Sequence, residues 1–285
     1  MNTTTKDKVP EKLRPYVFYG VELDWEGKTE PEGVCPFCGG DRFHISKNKG
    51  LYNCKQGGCH GNIYDFMRAL HAAGDTLRIP ELSKERGIPV LALKDWGFVK
   101  SPIRDEWLIP GHNVEGKLTS LYRWAMLREK KTVNGETVWK NRKAVIAPPG
   151  LSHQMFGMGL WKKENLDVHI CEGPWDGPAL YGDLKKERKT NDYNVVSIPG
   201  INVFKDRWLN TFKSKNVKIY FDNDHPKRNK KTGITTRLTW MALEKIIKEL
   251  SSVSSSIEIL RWGKDGYDPE LPDGYDVRDF LNDKK

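Results

Sequence analysis

Four cysteines and two groups of carboxylates stand at spacings that chemistry can use. Cys35-Pro36-Phe37-Cys38 and Cys54-Lys55-Gln56-Gly57-Gly58-Cys59 are thiol pairs with fifteen residues between them. Zinc takes four soft ligands in a tetrahedron, about 2.3 Å from each sulfur, and two knuckles joined by a hairpin deliver that geometry. Cys35, Cys38, Cys54 and Cys59 are therefore the first choice for a closed structural site. His60 directly follows Cys59 and imidazole can replace thiolate, so the fourth ligand is Cys59 or His60. The chain has five cysteines, an odd number, and their crowding suits metal binding in a reducing compartment better than disulfides. Phe43, His44, Lys47, Lys49, Tyr52 and Lys55 can stack on bases and grip phosphates, or equally form the ordinary core and surface of a small module.

The carboxylates sit where strands end. Val168-His169-Ile170-Cys171 runs into Glu172-Gly173-Pro174-Trp175-Asp176, and Val217 to Phe221 runs into Asp222-Asn223-Asp224. Open parallel sheets place their ligands at the carboxyl ends of strands. Asp222 and Asp224, two apart, point to one side if the chain stays extended. Carboxylates gathered there repel unless cations neutralise them, and all-oxygen ligands select magnesium or manganese. On spacing alone, exposed loop acids are an equally good reading.

The elements that must position these groups follow from hydropathy. Residues 35–60 form a Gly-rich, Cys-rich block with short strands at 43–45 and 51–52, and Ile63, Phe66, Met67 and Leu70 have helical spacing. Residues 76–104 mix Gly, Pro and short helical pieces and serve as a linker. From Glu106, β signals appear at 107–109, 117–122 and 145–147, in a region where residues 104–143 hold nine Lys or Arg against five Asp or Glu, a net +4. Beyond Leu160, strands at 168–171, 194–198, 217–221 and 257–262 alternate with helices, which implies an α/β domain with a largely parallel sheet. Trp240, Leu243, Ile246, Ile247 and Leu250 mark the core face of one helix. At 285 residues the chain accommodates about two domains. Its net charge of +9 favours polyanionic partners. No secretory leader or membrane span is expected, which reads as a cytoplasmic protein with no membrane partner. The phosphate-cradling sequence of a nucleotide-driven motor is not found.

Cys35-Pro36-Phe37-Cys38, Leu51-Tyr52-Asn53-Cys54 and Cys59-His60-Gly61-Asn62-Ile63-Tyr64-Asp65-Phe66 resemble the zinc-binding domain of bacterial and phage DNA primases. The second cysteine pair is wider than in that family, where the second ligand is typically a histidine. Glu172 through Asp176 to Ala179-Leu180, the strand 195–200, and Asp222 with Asp224 resemble the successive motifs of a Toprim domain. Leu271 to Leu281 is similar to the acidic motif near the end of primase Toprim domains, which favours Asp276, although Asp265-Gly266-Tyr267-Asp268 repeats the same local sequence. Trp107 to Gly150 resembles the basic subdomain of the primase catalytic core.

The resemblance implies an α/β chain in four parts: a zinc-ribbon-like β module at 1–75, a linker at 76–104, a mixed basic subdomain at 105–162, and a Toprim (Rossmann-like) parallel-sheet domain at 163–285. It implies primer synthesis on single-stranded DNA from nucleoside triphosphates by two-metal nucleotidyl transfer. Mg²⁺ or Mn²⁺ would be held by Glu172, Asp222, Asp224 and Asp276, with Asp176 and Asp279 in support, and one structural Zn²⁺ by the cysteines. Glu172 is left as metal ligand or general acid or base. Arg123 and Lys143 match positions that contact nucleotide or template in the family, and the basic insertion with Lys227, Arg228, Lys230 and Lys231 is a further candidate for phosphate contact. A separately encoded replicative helicase, in a phage or mobile element, is the expected partner. The rival readings are a Toprim nuclease or topoisomerase-like enzyme, and a non-catalytic zinc-bearing module that binds single-stranded DNA.

Overall fold

The computed structural model describes residues 9–133, 136–228, 233, 235–236, 238–263 and 266–284, and divides the chain into two compact units. The first comprises Met1–Ile79, Gly97–Gly111 and Leu118–His153. After helix α1 (Arg14–Phe18), strands β1 (Glu32–Gly33), β2 (Phe43–Ile45), β3 (Tyr52–Cys54) and β4 (His60–Gly61) pair antiparallel in chain order. Phe43, Ile45, Tyr52 and Cys54 face inward while Asn53 faces out, the two-residue alternation of a sheet with one buried side. Helix α2 (Ile63–Ala72) starts at Asn62, whose Oδ1 accepts from Tyr64 N at 2.8 Å and Asp65 N at 3.2 Å. Asp65 Oδ2 accepts from Asn62 N in return, a reciprocal cap that satisfies otherwise unpaired N–H groups.

The same unit holds a second antiparallel sheet of β5 (Val99–Lys100), β6 (Trp107–His112), β7 (Leu118–Val133) and β8 (Glu136–Ile146). Strands β7 and β8 form a long hairpin in register from Arg123 opposite Ile146 to Val133 opposite Glu136. One core serves both sheets. Tyr16, Tyr19, Phe43, Ile45, Tyr52, Phe66 and Met67 pack in a continuous cluster with Leu108, Leu118 and Leu121, and the Tyr19 hydroxyl donates to the Leu121 carbonyl at 2.8 Å.

The second unit comprises Pro80–Trp96, His112–Lys117 and Gln154–Lys285. It contains helix α3 (Ile79–Arg86) but for its first residue, and α4 (Val90–Asp95), ahead of a sheet-and-helix series. That series runs β9 (Asp167–Glu172), α5 (Gly173–Lys186), β10 (Tyr193–Ile198), β11 (Asn216–Tyr220), β12 (Lys227–Arg228), β13 (Thr235–Thr236), α6 (Leu238–Ser251), β14 (Ser256–Ile259) and α7 (Val277–Asp283). Strands β10-β9-β11-β14 lie in that order, all parallel. Val168, Ile170, Val196, Ile198, Val217 and Ile219 of this sheet pack with Leu243, Ile246 and Leu250 of α6. The expected zinc-ribbon-like β module, mixed region and Toprim-like parallel sheet are all present. Because β10 lies on one side of β9 and β11 on the other, the strand order reverses at β9, and the carboxyl ends of β9 and β11 flank a crevice where such sheets bind ligands. Among the described residues, no helix is long and apolar enough to cross a membrane.

Candidate functional site

In the first unit, two backbone knuckles aim the thiols. Gly39 N donates to Cys35 O at 2.9 Å and Cys35 N to Gly40 O at 2.8 Å; Gly58 N donates to Cys54 O at 2.9 Å and Cys54 N to Cys59 O at 2.7 Å. The sulfurs of Cys35, Cys38 and Cys59 lie within 4.8 Å of one another, and Cys54 Sγ is 3.5 Å from Cys38 Sγ. A Cβ at Gly57 would stand 2.5 Å from Cys38 Sγ, so this turn accepts only glycine. The Gly57 N–H, 3.4 Å from Cys54 Sγ, is the main cause that holds the Cys54 thiol below its ordinary range. Burial pushes the Cys35 thiol up to about 12. These soft donors fit a structural zinc. His60, exposed, directs Nδ1 to the Gly58 carbonyl at 2.9 Å and stands outside the sulfur group, whereas Cys59 belongs to it.

In the second unit, Glu172 closes β9 and caps α5, with Gly173 at φ +73° making the turn from strand to helix. Glu172 Oε1 accepts from Ile201 N at 3.3 Å, while its Oε2 is buried with no hydrogen-bond partner among the described residues. Across the crevice, Asp222 follows β11 and its Oδ1 is likewise buried and unpartnered. Burial pushes the Glu172 carboxyl up to about 7, with Asp224 adding to the rise against the Ile201 N–H. Burial also pushes Asp222 up to about 9, helped by Glu172, Asp276 and Asp224 and opposed by Arg278. Asp176, in the first turn of α5, is raised well above the ordinary carboxylate range by burial and by Asp276 and Asp222. Five carboxylates thus feel one another, as the two strand ends lead one to expect.

The details depart from the expected extended pair of aspartates. Asp224 N donates to Asp222 O at 2.9 Å, so the chain turns tightly instead of continuing as a strand. The cause is Asn223, fully buried, which bridges to Tyr275 and gives its amide to the carbonyls of Asp268 (3.0 Å), Pro272 (3.1 Å) and Leu271 (3.4 Å). Its Oδ1 accepts from Asp268 N at 2.7 Å. Asp224 Oδ2 accepts from the Thr239 hydroxyl, which turns that carboxylate toward α6. Among the described residues only the three cysteine sulfurs make a group of three ligand atoms within 4.8 Å; the carboxylate oxygens stand wider. Next to Asp222 and Asp224 lies a cavity of about 260 Å³, also lined by His225, Lys227, Trp240 and Trp262.

Asp276 takes the N-cap of α7, its Oδ1 accepting from Asp279 N at 2.8 Å and its Oδ2 from Arg278 Nη2 at 2.8 Å. Asp279 accepts from Arg278 at 3.3 Å and closes the reciprocal cap. Asp276 therefore belongs to the acidic group, while Asp268 spends Oδ1 on Glu270 N at 2.9 Å in a local turn. Arg123 is buried, paired through two nitrogens with Glu106, and bonded to the Phe18 carbonyl. Exposed Lys143 places Nζ 4.6 Å from the centre of the Trp124 ring. Lys227 pairs with Asp273 at 3.6 Å, and Arg228 Nε donates to Gly233 O at 3.2 Å. Lys230 and Lys231, like the Lys264-Asp265 pair, lie outside the described residues. Sequence reasoning missed Asn223, Thr239 and Arg278. Only Arg278, a cation set between two aspartates, carried a visible signal.

No family model matches the chain, and no curated protein matches it in sequence. Among solved structures, it is similar to the Aquifex aeolicus primase fragment with zinc-binding and RNA polymerase domains, at 16% identity and TM-score 0.47 over 99% of this chain and 83% of that one. It is similar to the primase fragment of the bacteriophage T7 primase-helicase protein, at 16% identity and TM-score 0.41 over 87% of this chain and 93% of that one. The E. coli primase catalytic core gives 12% identity and TM-score 0.48 over 78% of this chain and 76% of that one. All three TM-scores lie below 0.5, so what the chain does is read from its own thiols and carboxylates.

Proposed function

We propose that the protein is a DNA primase, a metal-dependent nucleotidyl transferase that builds short primers on single-stranded DNA from nucleoside triphosphates. One observation carries the reading: at the strand-order reversal, Glu172 Oε2 and Asp222 Oδ1 are buried, unpartnered and surrounded by further carboxylates. Buried polar atoms are nearly always paired, and like charges this close call for a cation. Oxygen ligands of this type suit Mg²⁺ or Mn²⁺, with Asp222, Asp224 and Glu172 as the holding residues. A divalent ion held there would supply charge that neutralises a triphosphate and would make a nearby hydroxyl more acidic.

The protein's own groups supply the rest. Glu172, raised to about 7, sits near the pH at which a carboxylate both accepts and returns a proton, so Oε2 suits general-base duty toward a primer 3′-hydroxyl as well as ligation. Thr239 fixes the Asp224 carboxylate through its hydroxyl, and Asn223 fixes the turn between the two aspartates. Lys227 beside the cavity, Arg228 next to it in β12, and Lys143 on the β7–β8 hairpin offer positive charge to phosphates. In the thiol module Phe43 and Tyr52 are buried in the core and cannot stack on bases, so exposed Lys49 and Lys55 offer charge to the template phosphates instead. A separately encoded helicase is the natural partner for this activity.

The test is incorporation of labelled nucleotide on an unprimed single strand, with and without Mg²⁺, for the wild type and Asp224→Asn. Metal-dependent synthesis that Asp224→Asn abolishes supports the reading. Metal-dependent strand scission without synthesis transfers the site to a nuclease, and binding without either reaction leaves a non-catalytic single-strand-binding module.

A further inference from the structure

The acidic site has a cation of its own. Arg278 is embedded, its side chain 16% exposed, and its Nη2 contacts Asp276 at 2.8 Å and Asp279 at 3.3 Å. Both oxygens of Asp276 are thereby committed, Oδ2 to Arg278 and Oδ1 to Asp279 N. Arg278 eases the charge on Asp222 and Asp176 as well. A second guanidinium stands behind it: Arg86, over the Trp175 ring at 4.5 Å, senses Arg278, Asp276 and Asp176. At the other end of the cluster, Glu172 Oε2 and Asp222 Oδ1 have no such partner.

We infer that Arg278 is a resident counter-cation: it takes the electrostatic place of a second protein-bound divalent ion, ties Asp276 and Asp279 to itself, and leaves Glu172, Asp222 and Asp224 to hold a single ion. The inference rests on the proposed reading of those three carboxylates as metal ligands and removes Asp276 from the ligand set. A guanidinium fixed to the chain, unlike a metal ion, cannot dissociate, so this half of the site stays neutralised whatever the metal supply. The second ion of a two-metal reaction then has to enter bound to the triphosphate. Arg278 is a positioning residue, because it acts through Asp276 and the electrostatics of Asp222.

The measurement is a Mn²⁺ titration of the zinc-loaded full chain without nucleotide, followed by electron paramagnetic resonance of free and bound Mn²⁺. The wild type should bind one Mn²⁺ per chain. Arg278→Gln should bind two, and should hold the first at least about tenfold more tightly because a nearby positive charge has gone. Arg278→Lys, which keeps the charge, should bind one. Two Mn²⁺ on the wild type, or an Arg278→Gln protein with unchanged number and affinity, overturns the inference. Should Arg278→Gln fail to fold, the counts for the wild type and Arg278→Lys still decide. Asp224→Asn separates the two ideas: if it binds Mn²⁺ as the wild type does, the ligand reading itself falls, whereas two ions lost together on that substitution remove only the role of Arg278.

Discussion

The thiol and carboxylate clusters differ in how far the fold alone prepares them. At the thiols, main-chain hydrogen bonds around Gly39, Gly40, Gly57 and Gly58 bring sulfurs within ligand distance. At the carboxylates, each charge that can find a protein partner takes one: Glu172 takes Ile201 N–H, Asp224 takes Thr239, Asp276 takes Arg278. What remains is a repelling set with orphaned oxygens that stand farther apart than the thiol sulfurs. Soft neutral thiols can be gathered by backbone geometry, since they repel little until deprotonated. Buried carboxylates resist gathering, so an ion there works against electrostatic strain that the sheet has built in.

Four measurements bear on that contrast. The largest effect is expected at the thiols. Cys54→Ser should lower bound zinc from about one per chain toward none, with loss of near-ultraviolet signal from the aromatic core around Tyr52, because structural zinc contributes on the order of 10 kcal/mol to its module. Full zinc content in that variant would overturn the site. At the carboxylates, Asp224→Asn should cut primer synthesis by roughly a hundred- to a thousandfold without lowering the unfolding midpoint, since it removes repulsion along with charge. A parallel drop in stability would make Asp224 structural instead.

Asn223→Ala should cost about 2 to 4 kcal/mol in urea unfolding, because it strands several partly buried carbonyls and the Asp268 N–H. A cost below about 1 kcal/mol would mean that the turn stands without its clip. The smallest effect concerns pH. Glu172 and Asp222 are raised from ordinary values of 4.5 and 3.8 to about 7 and about 9. The folded state therefore holds their protons more tightly than the unfolded chain. Their contribution is full below the ordinary values and is lost as pH climbs through 7 and 9. Without Mg²⁺ the urea midpoint should fall across that window; with Mg²⁺, which binds the ionised forms, the fall should flatten. An equal slope in both conditions would count against an ion at this site.

Much of this was legible in the residues. Strands β9, β10 and β11 announce themselves as apolar runs, and α6 by the spacing of Leu243, Ile246 and Leu250, because burial dictates those patterns. The thiol knuckles are legible because metal geometry fixes the spacing of their ligands. The length of the β7–β8 hairpin was hidden. Its outer half runs through basic residues with no apolar alternation, and a backbone ladder holds it together where side chains give no period. The short pairing of β12, in the basic insertion, with β13 beyond it was hidden for the same reason. In the acidic site the charged residues were visible, but Asn223 and Thr239 were not, since their roles depend on residues 15 to 49 positions further along or back folding against them. Asp276 was visible as an acid, while its commitment to Arg278 exists only once α7 forms.

The clip at Asn223 also has a bearing on how the protein comes into being. Its partners lie at 268, 271, 272, 274 and 275, all synthesised some fifty residues after the turn they fasten. A nascent chain can complete its thiol module and strands β9 to β11 while the acidic turn is still unfastened. The order of manufacture therefore delays the assembled acidic centre until the segment through Tyr275 has left the ribosome, so that a chain cut short before Asp268 holds its thiol knuckles complete and its acidic turn without the clip.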